Sequence, residues 1–116
     1  MSTYRVTIAG REGVLLERAR TALTGWERFR GLMLRKELPA GEGLLIPECR
    51  SIHMCFMRFP IDVVYLDGEN RVVKIVDALK PWRLSVCLKA RSVLETPAGR
   101  AEEAGLELGD RLVLKL

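Results

Sequence analysis

The stretch RSIHMCFMRFPIDVVYLD, residues 50–67, concentrates the side chains that do chemistry. It holds His53, the only histidine in the chain, with Cys55, Met57, Arg58 and Asp62 close behind. Residues 52–59 read as a strand, in which His53, Cys55 and Met57 would share one face because side chains alternate. Imidazole, thiolate and thioether together suit a soft ion such as copper(I). The competing reading is packing, since cysteine and methionine are common core residues. No second histidine reinforces the metal reading, so no metal or cofactor is expected, and a soft-metal site at His53, Cys55 and Met57 stays an alternative.

A thiol nucleophile is the second chemistry to weigh. Cys55 or Cys87 with His53 would form a dyad if the fold brought them together. His53 and Cys55 are too near in sequence to orient each other in that way, and Cys87 depends entirely on the fold. Nothing resembles a nucleophile elbow, a phosphate-binding loop or a dinucleotide fingerprint.

The third is an arginine and carboxylate cluster. Arg58 sits between Met57 and Phe59 and must either reach water or be paired, because an unpaired buried charge is very costly. Asp62 follows four residues later, across Pro60. One outcome is a structural ion pair, Arg30 or Arg58 with Asp62 or Glu95, that holds a helix to the sheet. The other is a cleft in which the arginines grip a carboxylate or phosphate.

These side chains need elements to position them. Residues 2–9 alternate Tyr4, Val6 and Ile8 with polar neighbours, the pattern of a half-buried strand. GREG at 10–13 is a turn, and residues 14–21 continue as a second hairpin strand. Residues 24–38 read as a short helix: Thr24 and Glu27 suit a capping box. Trp26, Phe29, Leu32 and Met33 recur on one face, with Gly31 allowing close packing. Pro39 and Gly41 stop it. GLLIP at 43–47 is a short buried strand. DGEN at 67–70 joins two β-branched segments as a hairpin, and KPWR at 80–83 breaks the pattern. Residues 90–96 form another strand. Pro97 and Gly105 bracket a second short helix, and a last strand carries Leu112 and Leu114. This succession predicts an α+β, mostly β fold: a curled antiparallel sheet or partly open small β-barrel with two short helices.

The bulk numbers fit one domain over residues 1–116. The 116-residue chain is 48% hydrophobic and 29% charged, a globular composition with enough length for a real core. The apolar runs fall far short of the roughly 20 residues that span a bilayer. No signal peptide is visible, so a cytoplasmic location is expected. The three cysteines, Cys49, Cys55 and Cys87, lack metal-knuckle spacing and fit reduced thiols. The net charge is +4 and the isoelectric point about 9.3. Arginine dominates the basic residues, which favours bidentate anion contacts. The excess is spread without a basic run, so nucleic acid is not expected as a partner.

Several separated pieces resemble one family, the bacterial and archaeal domain of unknown function 192. They are ERFRGLMLR at 27–35, GEGLLI at 41–46, FMRFPIDVVYLDGENRVV at 56–73, VLETPAG at 93–99 and GLELGDRL at 105–112. Their order and spacing carry the resemblance. It implies a small mostly-β fold and supplies no established activity. Many members carry a secretion or lipoprotein signal, and this chain is similar to the shorter ones. Arg28, Arg30, Arg58, Asp62 and Glu95 all fall within the matching pieces. Cys55 departs from the pattern, since many members have an aromatic or threonine there.

The sequence therefore points to a binding or accessory module for a small molecule, an anion, or a protein. Its candidate ligand-binding residues are Arg30, His53, Arg58, Asp62 and Glu95. The alternative is a small enzyme using His53 as acid and base beside Arg58 and Asp62, since imidazole suits proton transfer near neutral pH.

Overall fold

The computed structural model describes residues 3–22, 24, 32–33 and 35–116. The alternating N-terminal segment forms β1 (Thr3–Ile8), and the turn at 10–13 returns the chain as β2 (Leu16–Thr21). The two strands pair antiparallel. β3 (Glu42–Pro47) then lies parallel to β2. This is a crossover rather than the antiparallel neighbour the short strands predict. Gly43 makes the crossover possible: a Cβ there would lie 2.5 Å from Leu16 Cδ1 and 2.8 Å from the Glu95 carbonyl oxygen.

The expected helix over 24–38 falls largely outside the described residues. The expected strand over 52–59 is much shorter. β4 covers only Ser51–His53, and the chain then turns, with Phe56 at φ 62°. β5 (Ile61–Leu66) and β6 (Val72–Leu79) form the hairpin predicted around DGEN. Asp67 organises its turn by accepting the Glu69 N–H at 2.8 Å and the Arg71 N–H at 3.0 Å. Those two donors hold its carboxyl below the usual aspartate value. β7 (Leu84–Val86), unforeseen in the sequence, pairs antiparallel with β4. β8 (Ser92–Pro97) inserts between β3 and β5, α1 is the single turn Arg100–Glu103, and β9 (Leu112–Lys115) returns to β1.

The result is a seven-stranded sheet in the order β6-β5-β8-β3-β2-β1-β9 and a separate two-stranded sheet, β4-β7. The large sheet is not closed. Among the described residues its edge segments meet where Arg71 bridges Arg111, flanked by backbone bonds from the Val72 N–H to the Asp110 carbonyl at 2.8 Å, the Gly109 N–H to the Val72 carbonyl at 2.8 Å and the Leu112 N–H to the Asn70 carbonyl at 2.9 Å.

β5 is buried along its whole length, because each of its faces is covered. Val64 and Leu66 point into one core with Val6, Leu16, Leu94 and Leu112. Ile61, Val63 and Tyr65 point into the other, with Met54, Met57 and Val93. IDVVYL is apolar at five of its six positions for this reason, and reads as a continuous run rather than an alternation. Among the described residues no helix is long and apolar enough to cross a membrane.

Candidate functional site

Period-two alternation decides where the candidate residues go. Asp62 lies opposite Thr96, and Val63 opposite Glu95. Asp62 thus shares the face of Val64 and Leu66, while Glu95 shares the face of Val63 and Tyr65. The two carboxyls are on opposite sides of the sheet and cannot form one cleft.

Asp62 is fully buried and serves the backbone. The register of β5 with β6 slips between Ile61 and Val63, and Ala78 takes a positive φ of 49°. Its N–H is thereby turned to Asp62 Oδ1 at 2.8 Å. The same oxygen accepts the Gly99 N–H at 3.1 Å, and Oδ2 accepts the Ala101 N–H at 2.9 Å. One carboxylate therefore ties a bulged strand to the turn that opens α1. Arg58 is exposed and precedes β5 rather than belonging to it. Among the described residues, no ion pair joins Arg58 to Asp62 or Glu95. Arg30 lies outside the described residues.

Glu95 is a different kind of carboxyl. It is 4% exposed, and its Oε1 has no hydrogen-bond partner. Burial among apolar side chains pushes it up to about 8, so the group is mostly a neutral acid at pH 7.

His53 ends β4, because the Met54 N–H bonds the Arg83 carbonyl at 2.8 Å and the chain turns away. The alternation that put His53, Cys55 and Met57 on one face stops there. Met57 is instead buried in the core with Met54, which removes the geometry behind the soft-metal reading. Among the described residues no three His, Cys, Asp or Glu side chains gather as a metal site.

What His53 does join is a groove between β6 and the small sheet. Tyr65 Oη donates to Ser85 Oγ at 2.9 Å, and Lys74 Nζ donates to the Val86 carbonyl at 2.9 Å. These bonds fix β7 against the large sheet. Lys74 Nζ also lies 5.8 Å from the Tyr65 ring centre, within cation–π range. Burial raises the Tyr65 phenol above its ordinary value; the Ser85 bond opposes this, and the Cys49, Cys87 and Glu95 charges add to it. Here lies a groove of about 760 Å³, walled by Ile52, Val76, Leu79, Leu84 and Val86, with Ser51, His53, Lys74 and Ser85 as its polar groups.

Lys74, Ser51 and Ser85 are polar groove residues that the sequence reading did not single out. A signal existed for Lys74: it is the only charge in VVKIV, and it pairs with buried Tyr65. Ser85 had none, because β7 itself was not foreseen.

Comparison with known proteins agrees with this architecture. A UPF0127 protein of Thermococcus sibiricus is 39% identical over 100 residues, covering 82% of this chain and 64% of its own length. The chain thus spans under two thirds of that relative. The crystal structure of a protein of unknown function from Novosphingobium aromaticivorans superposes with a TM-score of 0.84 at 27% identity, covering 96% of this chain and 84% of that one. A proposed transcription regulator from Sinorhizobium meliloti gives 0.86 at 24% identity over 97% and 94%, a likeness of fold alone. The sequence also matches the profile of the domain of unknown function 192, described as "Uncharacterized ACR", over residues 5–114. The chain belongs to that family.

Proposed function

We propose that the protein is a binding module for a small organic anion with an apolar body, held in the groove between β6 and the β4–β7 sheet. The observation that carries this reading is Lys74. Its ammonium is anchored by a neutral carbonyl, and among the described residues no carboxylate pairs with it. A lysine has three donors and this bond uses one, which leaves charge and donors for a ligand. The walls beside it are aliphatic, and the volume falls within the range of roughly 300–1,000 Å³ common to ligand pockets. His53 and Ser85 add polar contacts from the facing sheet. Arg58 and Asp62, which the sequence grouped with His53, do not line this groove.

The test is a titration with octanoate, followed by amide chemical shifts and by thermal stabilisation, with octanol as the uncharged control. Octanoate should raise the melting temperature by linkage and shift amides of β6 and β7. Lys74→Met should weaken octanoate by about ten-fold, the scale of one charge-assisted hydrogen bond. Equal binding of octanol would remove the anion from the proposal. No response to octanoate or decanoate would remove the groove.

A further inference from the structure

The small sheet and its flanking turns carry exposed apolar side chains beyond the two, Leu84 and Val86, that also wall the groove. Among the described residues, the most exposed large apolar side chains include Phe56, Trp82, Leu84, Val86 and Leu88; elsewhere only Leu108 and Leu116 compare. Leu84 and Val86 alternate along β7 with Ser85, which faces Tyr65. The Phe56 and Trp82 rings touch, with centres 5.0 Å apart. Both residues have left-handed backbone, φ 62° and 68°, a conformation that bulky side chains rarely take. The backbone beneath them is fixed, since the Trp82 N–H bonds the Met54 carbonyl at 2.8 Å. The aromatic pair is held out from the core by a tied turn.

The charge of the same two segments is one-sided. Residues 50–60 and 80–91 contain Arg50, Arg58, Lys80, Arg83, Lys89 and Arg91 and no aspartate or glutamate. All six cations are exposed. We infer that this face docks on an anionic lipid bilayer, with Trp82, Phe56 and Leu88 entering the interfacial layer while the cations of the same two segments meet the headgroups.

Exposed tryptophan and phenylalanine beside aliphatic residues suit the boundary between headgroups and acyl chains. Cations near such a surface each strengthen binding by about five-fold. A second copy of the chain fits poorly, because a two-fold interface would set six cations against six. Nucleic acid would use the aromatics and cations, but it offers nothing to the aliphatic Leu88. The inference does not depend on the groove being occupied, since Phe56, Trp82 and Leu88 do not line it.

Co-sedimentation with phosphatidylcholine vesicles, with and without phosphatidylglycerol, tests the proposal. Binding should require phosphatidylglycerol and weaken at high salt. Trp82→Ser with Leu88→Ser, and separately Lys80→Glu with Lys89→Glu, should each weaken it by about ten-fold or more. All four side chains are exposed, and unchanged thermal unfolding and octanoate binding would confirm that the fold and groove persist. Failure of the full chain to pellet with phosphatidylglycerol vesicles overturns the proposal, as does undiminished pelleting of both variants. Binding to polyglutamate without binding to vesicles would replace the bilayer with an acidic protein. A dimer dispersed by the Trp82→Ser, Leu88→Ser variant would make the face a self-interface.

Discussion

Glu95 gives the sharpest test of the physical reasoning. Its carboxyl is raised from 4.5 to about 8 by burial. Between those values the unfolded chain has lost the proton while the folded chain keeps it. The folded state then binds more protons than the unfolded state, so stability falls as pH rises. The contribution is fully present below about 4.5, declines through the window and is exhausted above about 8. The slope is about 1.4 kcal/mol per pH unit, so roughly 3 kcal/mol should disappear between about pH 5 and pH 7.5. Glu95→Gln keeps the shape and removes the titration. Urea unfolding of both proteins across this range isolates the effect, because the other carboxyls cancel in the difference. The native protein should lose stability relative to Glu95→Gln with rising pH and level off above pH 8. A flat difference would show that Glu95 is not desolvated as described. A native protein that gains on the variant with rising pH would mean that a cation holds the carboxylate and that burial does not set its proton affinity.

The frame of the sheet rests on Asp62 and Gly43, and each can be tested by substitution. Asp62→Ala strands the N–H groups of Ala78, Gly99 and Ala101; it should cost about 3–5 kcal/mol in thermal or urea unfolding. Those three amides should also exchange faster with deuterium, and unchanged exchange would refute the anchoring role. Gly43→Ala places a Cβ 2.8 Å from the Glu95 carbonyl oxygen, which backbone pairing prevents from yielding. The expected loss is about 1–3 kcal/mol by the same unfolding assay, and a neutral result would show that the β3–β8 approach at Gly43 is loose enough to admit a methyl group.

The parts of the fold that were legible in the sequence are those set by local chemistry. DGEN marked the β5–β6 turn because Asp67 supplies the acceptor and Asn70 tolerates φ 63°. Pro97 and Gly105 bracketed α1, and Gly105 takes φ 69°. What escaped is set by contacts between distant segments. β4 stops after three residues because the Met54 N–H turns to the Arg83 carbonyl, a contact with a distant segment that no local propensity records. β7 is three residues long and lies next to the KPWR break, so its ladder with β4 left no period to detect. The candidate site was read with the same limits. His53 stood out as a lone imidazole and does line a groove. Asp62 and Glu95 were grouped as carboxyls in matching pieces, yet strand parity puts them on opposite faces. That parity became visible only when the β5–β8 register was known.

The insertion of β8 between β3 and β5 has a consequence for the order of assembly. The β1–β2 and β5–β6 hairpins draw on near neighbours in sequence and can form early. No hydrogen-bonded ladder joins β3 to β5 until β8 arrives, and β8 begins only at Ser92. During synthesis, then, the emerging chain carries two separate β fragments, each with a bare edge beside an apolar strand. Residues 92–97 are the keystone that converts them into one sheet, so the interval before they leave the ribosome is when the nascent protein is most open to wrong strand pairing.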